Sequence, residues 1–279
     1  MSLIIPGAPQ FSLFESNASA TPAAGSGTAV ANPAGAANTK GTWVELIAAT
    51  TFDSLLVVVT LANASAVATD TSTLIDIGIG AAAAETVIIP DLLAGQTTSS
   101  NLTPRSYIFP LRIPSGSRIS ARSQSVRTTG SNTVLIQLWG GPRDPDRWWC
   151  GQQVTAYGVN AADSGGTAVT AGNSGAETAT PVAIGTTTSD HGCIVAGVAG
   201  TNTAFNGLTY HWDVGIDVAS TSWLIRDALM MQTDTSERIT PSGVWMPIFA
   251  PVPSGSVLVM GGECSGTAQA LDLALYGIS

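Results

Sequence analysis

The sequence predicts an all-β protein made of two tandem jelly-roll-like antiparallel β-sandwiches related by internal duplication. Three observations point there. Short apolar segments recur about every 8–15 residues, separated by Gly, Ser, Thr, Asn and Pro. No stretch carries a convincing amphipathic helical pattern. The second half of the chain repeats the first in one register.

The repeat is carried by six matches in the same order. GTAV at 27–30 matches GTAV at 166–169, LIDIGIG at 74–80 matches HWDVGID at 211–217, and VIIPDLLAGQT at 87–97 matches WLIRDALMMQT at 223–233. LTP at 102–104 matches ITP at 239–241, IPSGS at 113–117 matches VPSGS at 252–256, and VLIQLWG at 134–140 matches LDLALYG at 271–277. The offset drifts only from 136 to 139 residues. So long a period means two domains and not the short units of a solenoid.

Taken in order, the first copy is expected to place strands at 10–14, 27–31, 42–48, 54–61, 73–80, 85–90, 106–113, 117–122 and 132–140, with the second copy repeating them. The runs at 54–61 and 192–199 read as buried strands, and Val134, Ile136 and Leu138 alternate as one sheet face does. Ala81–Ala84 reads as a hairpin connection between strand-like flanks. Ser115-Gly116 and Ser254-Gly255 each follow a proline, as a tight turn with a glycine at positive φ requires. Pro142 and Pro145 in GPRDPDRWWCGQ mark a linker at 141–152. The expected domains are therefore 1–140, with an N-terminal arm at 1–9, and 153–279.

Composition narrows the function classes. The chain has 279 residues, about two average domains, and only 10% are charged, against about 25% in an ordinary soluble domain. Net charge is −9, and the basic residues are nine arginines and Lys40. Such a chain is poorly suited to displacing phosphate counterions, so no nucleic-acid partner is expected. No apolar run approaches the roughly 20 residues of a membrane span, and MSLIIPGAPQ lacks the basic start and long apolar run of a secretory leader. Three cysteines make no disulfide framework. A low-charge surface rich in Thr, Ser, Gly and Ala suits a subunit covered by its neighbours, which points to a homo-oligomer.

The candidate chemistry is sparse. No GxSxG, P-loop, HExxH or CxxC pattern is present, and the chain reads as a non-enzyme with no cofactor and no metal. A paired-carboxylate glycosidase site would leave no local mark, because its two acids need not be close in sequence. Asp76 and Asp213, Asp91 and Asp227, and Gln96 and Gln232 match between copies. Each Asp stands alone between apolar residues, which favours a hydrogen-bonding role over the converging oxygens of a calcium loop. His191 and His211 occur in copy two only and have no ligand spacing. Cys193 matches Leu55 and reads as a small core residue, while Cys150 and Cys264 carry no pattern.

Charge divides the copies. Residues 1–140 carry six basic and seven acidic groups, whereas 141–279 carry four and twelve. The basic groups of copy one gather at Arg105, Arg112, Arg118, Arg122 and Arg127. Alternation puts Arg118, Ser120 and Arg122 on one strand face, and copy two has residues such as Pro251 and Val257 at the matched places. One reading is a solvated face; the sharper one is a docking surface for an acidic partner. Trp148 and Trp149 are the candidate aromatics for an interface or for stacking on sugar rings, and Trp139 pairs with Tyr276 as a fold position.

The strings NTKGTWVELIAATTFDSLLVVV, LIDIGIGAAAAETVIIPDLLAG and YIFPLRIPSGSRISAR, echoed by WDVGIDVAS and PVPSGS, resemble a family of tailed-bacteriophage proteins of the minor-tail or capsid-decoration type. The resemblance spans nearly the whole chain and includes no catalytic residue. It implies a structural component of the virion that packs onto other virion proteins. A host-surface glycan is the alternative partner, by analogy of sandwich folds with carbohydrate-binding modules.

Overall fold

The structure is a computed structural model. It describes residues 12–18, 26–63, 72–94, 105–141, 149–178, 180–199, 208–217, 222–232, 243–267 and 270–279. The expected arm at 1–9 and Trp148, with most of the linker, lie outside the described residues.

The first copy holds β1 (Leu13–Ser16), β2 (Thr28–Ala31), β3 (Val44–Ile47), β4 (Leu56–Asn63), β5 (Thr73–Ile79), β6 (Thr86–Leu93), β7 (Arg105–Phe109), β8 (Ile119–Ser125) and β9 (Ser131–Gly140). The second holds β10 (Val154–Tyr157), β11 (Thr167–Thr170), β12 (Val182–Thr186), β13 (Cys193–Ala199), β14 (Thr209–Ile216), β15 (Ser222–Gln232), β16 (Gly243–Trp245), β17 (Pro247–Ile248), β18 (Val257–Cys264) and β19 (Ala270–Ile278). No helix occurs among the described residues.

The strand orders make both copies jelly rolls. In the first, β2-β9-β4-β7 faces β3-β8-β5-β6, with β1 also paired to β9. In the second, β11-β19-β13-β17 faces β12-β18-β14-β15, with β10 paired to β19. Every strand has its counterpart, β16 and β17 together standing for β7. The core of each sandwich comes from alternation: Val57, Val59 and Leu61 of β4 and Val134, Ile136 and Leu138 of β9 are buried, while Val58, Thr60, Leu135, Gln137 and Trp139 between and beside them are half-exposed. The strand expected to stop at Pro90 runs on to Leu93 across a bulge at Asp91, which takes φ 51°. Asp227 forms the same bulge in β15 at φ 54°.

Ladder register corrects one expectation. Val58 faces Gln137 in copy one and Val195 faces Tyr276 in copy two. Tyr276 therefore stands where Gln137 does, and Trp139 corresponds to Ile278. The likeness of LWG to LYG is two residues out of structural register.

The PSGS turn is kept because a second segment clamps it. The Thr50 hydroxyl donates to Pro114 O (2.8 Å) and accepts from Ser117 N (3.0 Å), while Asp53 accepts from Ser115 N (2.8 Å). Thr187 and Asp190 repeat this on Pro253, Ser256 and Ser254 at 2.7, 2.9 and 2.7 Å. Thr50→Val and Thr187→Val are each expected to cost about 1 kcal/mol, since the part-buried turn loses the two hydrogen bonds of the hydroxyl. Urea unfolding measures this.

The two sandwiches are joined edge to edge. The free edge of β7 pairs in parallel with β16, Arg105 facing Gly243 and Tyr107 facing Trp245. The side of the first sandwich between β6 and β7 is closed by Tyr276, whose hydroxyl accepts from Leu93 N (2.9 Å) and donates to Asp91 O (3.0 Å). The Tyr276 ring meets Tyr107 and Phe109 edge-on at 5.8 and 6.2 Å. Gly197 leaves room for it, because a Cβ there would lie 2.7 Å from the Tyr276 ring. At the end of the expected linker, Gly151 N donates to Pro110 O (2.9 Å) and Arg112 N donates to Gly151 O (2.8 Å).

Candidate functional site

The arginines expected to form one exposed stripe divide into separate settings. Arg105 is a correction: its relative exposure is 1%, and it reaches toward Leu93 O in the seam between copies. It points inward because Arg105 shares a strand face with Tyr107 and Phe109. Burial lowers its pKa to about 10 and raises that of Tyr107 to about 12. Arg112 bonds Asp53 at 3.1 Å. Arg118 bridges Glu45 and Glu85, both at 2.7 Å. Arg122 bonds Asp76 at 2.8 Å and lies 4.5 Å over the Trp43 ring. Arg127 is half-buried before the β8–β9 turn. Arg112, Arg118 and Arg122 thus meet acids of their own copy, which the sequence reading did not foresee because those acids lie 33 to 73 residues away.

The Asp residues kept in both copies form a matched pair of sites. In copy one, Asp91 N donates to Asp76 Oδ1 at 2.9 Å, which holds the β6 bulge. In copy two, Asp227 N donates to Asp213 Oδ1 at 2.7 Å. The surroundings differ. Asp76 and Asp91 are neutralised by Lys40, whose ammonium bonds both, and by Arg122. The matched amides Gly41 N and Thr178 N donate to Ser123 O and Gly262 O, so Glu177 stands where Lys40 does. Asp76 faces Arg122 across the ladder, whereas Asp213 faces Gly261. A cation has become an acid, the ladder arginine is replaced by Gly261, and the cation near the cluster is Arg226 of β15.

Copy two therefore gathers carboxylate oxygens of Glu177, Asp213 and Asp227 within 4.8 Å of one another. Asp213 is fully buried, and its Oδ2 accepts no hydrogen bond. Arg226 bonds Glu177 at 2.6 Å, and its Nε stays 4.0 Å from Asp213 Oδ2. Burial above all, with the neighbouring Glu177 and Asp227 charges, pushes the Asp213 carboxyl up to about 6 against the bulge hydrogen bond. Beside it, His211 Nδ1 lies 2.9 Å from Glu263 Oε1, and Asp227 also approaches that pair.

A pH dependence follows. Asp213 holds its proton to about pH 6 when folded, while an unfolded Asp loses it near 3.9. This residue's contribution is full below the unfolded value and is lost as pH rises toward 6. In EDTA, Asp213→Asn is expected to be more stable than wild type at pH 8 by on the order of 1–2 kcal/mol, with the gain vanishing below about pH 4. Urea unfolding across that range reads it.

His191 and Cys193 are core residues. His191 is buried with Nε2 2.7 Å from the Tyr157 hydroxyl, and burial lowers its pKa. Cys193 is buried, its thiol pushed up to about 12. Trp149 is 43% exposed and rests against Gly192, where a Cβ would lie 2.4 Å from the indole.

The remaining large exposed apolar side chains form two groups. Among the described residues, Phe14, with Trp139 4.8 Å from its ring, lies on the outer face of the β1-β9-β4-β7 sheet, and Leu13, next to it in β1, points to the other side. Met246 and Phe249, 57% and 56% exposed, flank β17.

No family model and no curated protein matches the chain. Among solved structures, the N-terminal CBM22-1-CBM22-2 tandem domain of Xyn10C from Paenibacillus barcinonensis is similar at 11% identity and a TM-score of 0.24, over 85% of this chain and 82% of that one.

Proposed function

We propose that the chain is a non-enzymatic structural subunit of a tailed-phage virion that acts by packing, first onto copies of itself and then onto other virion proteins. The observation that carries this reading is where the exposed apolar groups fall. The outer face of β13 and β19 is buried against copy one through Tyr276. On the matching face of copy one, Phe14 packs against Trp139 and is itself 51% exposed. Tyr107, against which Tyr276 packs, corresponds by register to Met246, which is exposed. Each half of the internal contact thus has an exposed apolar counterpart in the other copy, Phe14 for one and Met246 for the other. A second copy that sets its Phe14–Trp139 face against the Met246–Phe249 side repeats the internal contact head to tail.

Light scattering tests the contact. Wild type is expected to exceed the 28.3 kDa monomer at micromolar concentration. Phe14→Asp and Met246→Asp are each expected to be monomeric alone and to form a one-to-one dimer when mixed, since each keeps the end the other lacks. A monomeric wild type counts against the reading. Immunogold labelling of purified particles tests the virion location.

One observation favours a second reading, host-glycan binding. Trp149 presents one indole face while Gly192 backs the other, which is the platform a sugar's apolar C–H face stacks on. Calorimetry with host polysaccharide, and its loss in Trp149→Ala, tests it.

A further inference from the structure

We propose that Glu177, Asp213 and Asp227 of copy two form a binding site for a divalent, oxygen-preferring cation, of which Ca²⁺ is the fitting member. The site is independent of how the chain assembles.

The duplication supplies a control within the molecule. One backbone arrangement, a β-bulge held by a buried Asp, occurs twice. In copy one its two acids meet two cations, Lys40 and Arg122. In copy two the same arrangement has three acids, with Glu at the lysine position and Gly at the arginine position. Arg226 bonds Glu177 from the exposed side and comes only to 4.0 Å of Asp213 Oδ2, which is left without a hydrogen bond. A buried carboxylate oxygen with no donor is costly unless something positive meets it. That oxygen is the second observation: it is fully buried and belongs to the acid around which the others converge. The donor atoms are all carboxylate oxygens, the ligands that calcium takes with water completing its shell. The cation would stand where the Lys40 ammonium stands in copy one, bonding the same pair of aspartates.

A neighbouring donor set bears on metal choice. His211 and Glu263 share Asp227 with the site, and imidazole favours a softer metal such as Zn²⁺. The His211 Nδ1 is engaged by Glu263 at 2.9 Å, and the buried oxygen without a hydrogen bond belongs to the all-oxygen trio, so the donor set favours calcium.

Trp223 supplies the readout. A Cβ at Gly261 would lie 3.5 Å from its ring, so the indole covers the place of the missing arginine. Terbium, a calcium stand-in, is expected to emit when this tryptophan is excited, and excess Ca²⁺ is expected to quench that emission by displacement. CaCl₂ is expected to bind with a dissociation constant of about 10⁻⁵–10⁻³ M and to raise Tm by on the order of 5 °C at saturation. Glu177→Lys rebuilds the copy-one site. It is expected to fold, to give no terbium emission, and to have a Tm indifferent to calcium and above that of wild type in EDTA. Asp213→Asn is expected to lose binding as well. Wild type with neither terbium emission nor a calcium-dependent Tm at 10 mM overturns the proposal. So does calcium binding that survives Glu177→Lys, or binding by Zn²⁺ alone that His211→Ala abolishes.

Discussion

Tyr276→Ala is expected to destabilise the protein by about 4–5 kcal/mol, measured by urea unfolding. Removing a fully buried aromatic ring costs about 3–5 kcal/mol. Here the ring also carries the hydroxyl that accepts from Leu93 N and donates to Asp91 O. Its loss strips a buried amide of its partner, which adds to the cost. Tyr276→Phe isolates that share and is expected to cost about 1–2 kcal/mol. Because Tyr276 belongs to copy two and fills the flank of copy one, the alanine variant is also expected to separate a single unfolding transition into two. Trp139→Ala is the control, since its ring is half-exposed against Phe14; about 1 kcal/mol or less is expected. A loss below 1 kcal/mol in Tyr276→Ala would contradict the role assigned to the seam.

Lys40→Glu is expected to cost about 3 kcal/mol. Removing one member of a buried ion pair costs about 3–5 kcal/mol, and the partial exposure of Lys40, 27% against 3% for Asp76, places it at the lower end. The substitution also brings a third acid toward Asp76 and Asp91, leaving Arg122 as the cation bonded to Asp76. Lys40→Met removes the charge without reversing it and is expected to cost about 2 kcal/mol. The gap between the two variants, read by urea unfolding at low and high salt, measures like-charge repulsion at the bulge. Equal losses in the two variants would show that the repulsion is negligible.

Much of the fold was legible because it is written in local pattern. Period-2 alternation and turn residues located the strands of copy one, and the repeat carried them to copy two. Pro90 misled the end of β6 because the bulge that continues the strand depends on Asp76, 15 residues away. The pairing of Trp139 with Tyr276 failed for a similar reason, as register is set by the partner strand and not by the likeness of side chains. At the candidate site, the matching aspartates were visible, and so was their hydrogen-bonding role. The exchange of Lys40 for Glu177 was not, because the repeat is weak between the GTAV match and the Asp pair. An alignment constrained at 137 residues across that gap would have shown it. The settings of Arg112, Arg118 and Arg122 were hidden for a different reason, because the carboxylates that meet them come from distant parts of the chain.

The seam also bears on how the chain is made. Translation delivers the first sandwich long before residue 276 leaves the ribosome, so the early half waits with one flank unsealed. Its final wall follows the amide it meets by 183 residues. Losing the second copy therefore injures the first, and a nascent chain released too soon exposes the unguarded β7 edge to strangers.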